Sequence, residues 1–138
     1  MRFMIFVKAT ADSEAGAPPS IEMLTAMGKY NEELVAAGIM KDGDGLRPTK
    51  DAKRVHFSGN KRTVIDGPFA ETKEVVAGYW IWECASIDEA VEWVKKCPNP
   101  MLTDSDIDIR PYYSAEDFAT MTDELRAKED KLRTKLDR

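Results

Sequence analysis

The residues best suited to chemistry in this chain are gathered in one loop. Asp66-Gly67-Pro68-Phe69-Ala70-Glu71-Thr72-Lys73-Glu74 follows the β-prone run Thr63-Val64-Ile65. Pro68 fixes φ at about −65°, which suits the first central position of a turn, and Gly67 relieves the crowding that a pre-proline residue suffers. Such a turn aims Asp66 and Phe69 in defined directions at the end of a strand. Glu71, Lys73 and Glu74 then set two carboxylates beside an ammonium, an arrangement that can tune one carboxyl for proton transfer. The alternative is structural: Asp66 caps the turn through backbone amides, and the Glu and Lys side chains make ion pairs.

Four further groups carry chemical potential. His56 alternates against Val55 and Phe57, so it points away from them, and an imidazole titrating at about 6.5 is a candidate base or a surface residue. Arg110 shares a strand face with Asp108 and Tyr112, opposite Ile107 and Ile109. Its guanidinium either grips a substrate carboxylate bidentately or pairs with Asp108 or an acid of the loop. Trp80 and Trp82 serve as core or as a stacking wall for a ligand. Cys84 and Cys97 form no CxxC pair and stand with a single histidine, so no metal site is expected, and both read as reduced thiols.

A net charge of −5 with scattered Lys and Arg argues against a nucleic-acid partner. The apolar run Phe3–Val7 is too short for a signal segment or a membrane span, so a soluble cytoplasmic protein is expected. Its length of 138 residues suits a single core.

The elements that must position these groups follow from periodicity. Arg2–Lys8 is apolar on both alternating faces and belongs in the middle of a sheet. Asp12–Pro19 reads as a loop. Ser20 caps a helix with the stripe Ile21, Leu24, Met27, Leu34 and Val35, and Gly38 ends it. Lys41–Gly45 has turn composition, and Leu46–Pro48 a short extended one. Val55–Phe57 and Thr63–Ile65 flank Ser58-Gly59-Asn60 as a hairpin. A strand spans Val75–Cys84, and Ser86 with Glu89 forms a capping box for a second helix. A last strand runs through Asp106–Tyr113.

The order β, α, hairpin, β, α, β is an α+β, ferredoxin-like split βαβ arrangement with both helices on one face of an antiparallel sheet. The other face then carries large apolar groups, from Phe6 or Phe3 and the Trp80/Trp82 strand. A second subunit is expected to cover it, giving a homodimer. Residues 114–138 form a separate helical extension, capped by Ser114 and carrying Phe118, Met121, Leu125, Leu132 and Leu136. A stripe this thin suits either an arm packed on a partner subunit or a partly frayed helix.

The string Asp66–Glu74 resembles the DGPF signature of the YCII-related family. Gly78-Tyr79, Asp88-Glu89-Ala90, Ile109-Arg110-Pro111, Gly38 and Leu46-Arg47-Pro48 stand where that family has them. The resemblance covers residues 1–113 and implies the dimeric α+β-barrel form of the ferredoxin-like fold. It implies no single activity. In another branch of the family, a histidine near the first helix and an aspartate are the proposed catalytic pair; here the first helix has no histidine, and the only one is His56. Fold analogy adds small-ring isomerases and cofactor-free monooxygenases.

Three functional expectations follow. One is an acid–base isomerase or lyase needing no cofactor, with Asp66, Glu71 or His56 moving a proton. Arg110 would hold a small anionic ligand there, with Phe69, Lys73, Glu74, Trp80 and Trp82 around it. The second is a non-catalytic ligand-binding or regulatory protein using the same residues. The third is an interaction module built on the C-terminal helix.

Overall fold

The computed structural model describes residues 1–136. Strand β1 (Arg2–Lys8) alternates buried and half-buried residues and lies between two neighbours, as its two apolar faces require. Helix α1 (Ala11–Glu14) comes next, then helix α2 (Ile21–Ala36) and strand β2 (Met40–Gly45). The hairpin strands β3 (Lys53–Ser58) and β4 (Lys61–Asp66) follow, then β5 (Val76–Glu83), helix α3 (Ile87–Lys95), β6 (Ile107–Pro111) and helix α4 (Asp123–Lys135). The main sheet has the order β2-β5-β1-β6 with every pair antiparallel, the ferredoxin-like arrangement expected. The β3–β4 hairpin is a separate two-stranded sheet, exposed at every residue, and turns through Gly59 at φ 56°.

The core lies between the sheet and helices α2 and α3. Phe3 pairs with Trp82 and Ile5 with Trp80, so those four side chains share one face. They pack there with Tyr30 and Leu34 of α2 and Ala90 of α3. This corrects the sequence reading, which set Trp80, Trp82 and, as one option, Phe3 on the far face. Of its candidates Phe6 does lie there, flanked by Met4 and Tyr79. Ile107 and Ile109 pack on the core side of β6 while Asp108 and Arg110 face outward, as their alternation predicts.

Four local readings need correction. The stretch read as a loop from Asp12 begins as α1, because Thr10 and Ser13 cap each other reciprocally: Ser13 N–H donates to Thr10 Oγ1 and Thr10 N–H to Ser13 Oγ. The inward side of α2 carries the half-buried Met23 and Met27 and the buried Tyr30 and Leu34, and Ile21, Leu24 and Val35 are exposed. Tyr30 can lie on that side because its hydroxyl donates to the Trp93 carbonyl at 2.5 Å, satisfying its one polar atom. Lys41–Gly45 is edge strand rather than turn. Its Gly43 is there because a Cβ would lie 2.7 Å from Cδ1 of Trp80, so the indole can only lie across a glycine. The C-terminal helix starts at Asp123 rather than after Ser114. Ser114 instead caps a single 3-10 turn, Ala115–Asp117, and Thr122 caps the helix.

Other boundaries agree. Ser20 Oγ accepts from Met23 N–H, and Gly38 takes φ 73° at the end of α2. Ser86 Oγ accepts from Glu89 N–H at the start of α3. Among the described residues no helix is long and apolar enough to cross a membrane.

Candidate functional site

The loop from Asp66 is held by a chain of polar contacts that starts at α1. Thr49 is 7% exposed, the one buried polar residue among those described. Its backbone N–H donates to Glu14 Oε1 at 3.0 Å, and its hydroxyl donates to Glu14 Oε2. The same hydroxyl accepts from Phe69 N–H at 3.0 Å. Gly67 presses on this point so closely that a Cβ would sit 1.6 Å from the Thr49 carbonyl oxygen, and its N–H donates to Ala52 O at 3.0 Å. The Gly67–Pro68 peptide bond is cis. Arg54 of β3 stacks over the Phe69 ring, 4.0 Å from its centroid. The motif thus ties the root of the hairpin to α1.

The candidate residues fall on separate surfaces. Asp66 ends β4 and pairs with Lys53 across the hairpin at 2.6 Å, both side chains being mostly exposed. Glu71, Lys73 and Glu74 are exposed around a 3-10 turn, Thr72–Glu74. His56 is exposed on β3, opposite Thr63. Arg110 lies on the outer sheet face next to Met4. Asp108 pairs with Lys8 at 3.7 Å rather than with Arg110, which has no ion-pair partner among the described residues. Trp80 and Trp82 stand in the core, 5.7 Å apart between ring centroids.

A cavity of about 630 Å³ opens on the helix side of the sheet, between α2, the segment 10–20 and the loop 100–102. Its size is that of small-molecule sites. Of the candidate site residues chosen from sequence, Trp80 alone lines it. Methionines 23, 27, 40 and 101 give it soft, adaptable walls. Asn31 of α2 also lines it and accepts a hydrogen bond from Trp80 Nε1–H at 2.9 Å. Asn31, Glu14 and Thr49 were all missed. A readable signal existed only for Asn31, a polar residue set four positions after Met27 on the inward side of α2.

Neither cysteine is activated. Burial pushes the Cys97 thiol up to about 11, and burial, with Glu89 nearby, raises Cys84. Burial also raises the Tyr30 hydroxyl well above the usual tyrosine range. Among the described residues, no group of three or more His, Cys, Asp or Glu is placed to hold a metal ion.

An uncharacterized protein of Rhizobium meliloti (strain 1021) is 36% identical over 79 residues, covering 57% of this chain and 64% of that protein. The match therefore spans a little under two thirds of the relative's length. Among solved structures, 5-chloro-2-hydroxyhydroquinone dehydrochlorinase from Burkholderia phenoliruptrix, in complex with 2,5-dihydroxybenzoquinone, aligns over 84% of this chain and 98% of its own. The identity is 19% and the TM-score 0.45. The YCII-related domain matches residues 1–111, and the chain belongs to that family.

Proposed function

We propose that this YCII-related protein binds a small molecule in the cavity between α2 and the sheet, and that any reaction it performs there is acid–base chemistry by side chains. The observation that carries this reading is the cavity itself: about 630 Å³, partly open to solvent, with a mostly apolar lining that includes four methionines and Trp80. Asp66 and Glu71 lie outside it, so Asp12, at the start of α1 on its wall, is the better placed proton carrier.

A second reading rests on Arg110. Its guanidinium, without an ion-pair partner among the described residues, stands on the outer sheet face beside Met4, with Phe6 and Tyr79 half-buried there. Covered by a second copy of the chain, that face would form a cleft able to hold a small anion.

A metabolite-library thermal-shift screen separates the two. A ligand at a hundred times its dissociation constant stabilises by about 2.7 kcal/mol. Met23→Trp fills the cavity at a residue that does not pack on the core, and it should abolish the shift while Arg110→Ala and Asp66→Asn leave it intact. A shift lost in Arg110→Ala and retained in Met23→Trp would place the site in the intersubunit cleft instead.

A further inference from the structure

The Trp80–Asn31 contact fixes which end of the Asn31 amide is engaged on this wall of the cavity. An indole N–H only donates, so the atom 2.9 Å from it must be the carbonyl Oδ1. The indole itself is held firmly. It is 6% exposed, lies across Gly43, and meets Tyr30 edge-on at 6.0 Å. With Oδ1 engaged, the Nδ2 group is a positioned donor, and among the described residues nothing accepts from it. It is not a buried orphan either, since the only such side-chain atom among the described residues is Trp82 Nε1.

The charge of the lining narrows the ligand further. Among the described residues no Lys, Arg or His lines the cavity, whereas Asp12 and Asp44 do. An anion entering it would lose its hydration shell and meet no cation. The walls otherwise offer thioethers and an indole, surfaces suited to a ring.

We infer that Asn31 is the orienting residue of the cavity, and that its ligand is an uncharged, ring-sized molecule whose carbonyl oxygen accepts from Asn31 Nδ2. This rests on the cavity being the binding site, and it replaces the anionic ligand expected from sequence.

The test uses three probes of similar size on the full chain, followed by calorimetric titration: 4-hydroxyacetophenone, 4-ethylphenol and 4-hydroxybenzoate. The wild type should bind the ketone about tenfold more tightly than 4-ethylphenol, and should bind the benzoate anion most weakly. Asn31→Asp retains an acceptor for Trp80 but cannot donate; it should erase the ketone's advantage and leave 4-ethylphenol binding unchanged. Asn31→Ser, whose hydroxyl is too short to span both partners, provides the same readout if the aspartate variant folds poorly. A ketone preference that survives both variants, a preference for the benzoate, or failure of all three probes overturns the inference. Met23→Trp separates this from the parent reading. Probe binding that is lost there yet indifferent to Asn31 leaves the cavity standing and removes Asn31's role; ketone binding that persists in Met23→Trp removes the cavity as well.

Discussion

Glu14 grips Thr49 at two points, its carboxylate accepting from both the backbone N–H and the hydroxyl of the same residue. Hydrogen bonds to a charged group contribute about 1.5–3 kcal/mol each when well formed. Because Thr49 is buried, removing its acceptor leaves two donors unsatisfied. Glu14→Ala should therefore cost about 2–3 kcal/mol in urea denaturation, with the slope unchanged. Glu14→Gln, which keeps one acceptor oxygen, should cost about half as much. Equal stability of all three proteins would show that the contact holds nothing together.

This clamp also shows where the sequence was legible. Strands β1, β5 and β6, helices α2 and α3 and the hairpin announce themselves through alternation, capping serines and turn glycines. The family was legible through the resemblance of the string Asp66–Glu74 to its signature. The string's physical role was hidden, because the partners of Phe69 and Gly67 lie at Thr49 and Ala52, and Thr49 is held in turn by Glu14, contacts no local pattern encodes. The faces of Trp80 and Trp82 depended on register with β1, which alternation within β5 alone leaves open. Lys41–Gly45 read as a turn because Gly43 answers to the bulk of Trp80, far away in sequence. Asn31 was passed over because a single polar residue on an inward helix face is normally noise.

The outer sheet face should be the homodimer contact. Met4, Phe6 and Tyr79 are half-buried in the single chain, and Ile81 among them is 8% exposed, so a second copy would bury a continuous apolar strip. Phe6→Asp should convert the dimer to a monomer in size-exclusion chromatography with light scattering, while the circular dichroism spectrum stays native. A wild type that elutes as a monomer at high concentration would remove this expectation and the second functional reading with it.

Stability should fall in alkali. Cys97 keeps its proton in the folded chain up to about 11, against an ordinary value of 9.0, and Tyr30 is shifted in the same direction. Between these limits the unfolded chain has released protons that the folded one retains, so raising the pH favours unfolding. The stabilising contribution is complete below about pH 9 and is lost as the pH climbs through the folded value. Urea midpoints at about pH 8 and about pH 10 should differ, and Cys97→Ala should narrow the gap. A gap unchanged by that substitution would assign the effect to Tyr30 and Cys84, which burial shifts in the same direction.

The two tryptophans of β5 should respond to the same substitution in the reverse of their burial order. Trp82 is fully buried, yet among the described residues its Nε1–H has no acceptor, and an orphaned buried donor costs about 1–3 kcal/mol. Trp82→Phe removes that penalty and leaves a small void worth about 1 kcal/mol, so the two effects largely offset. Trp80 is slightly more exposed, but its N–H is satisfied by Asn31 and its ring fills the space above Gly43. Trp80→Phe loses the bond and the packing together and should cost about 2–3 kcal/mol. Measured by urea denaturation, a larger loss for Trp82→Phe than for Trp80→Phe would mean that an ordered water serves the Trp82 N–H, a partner worth more than the void.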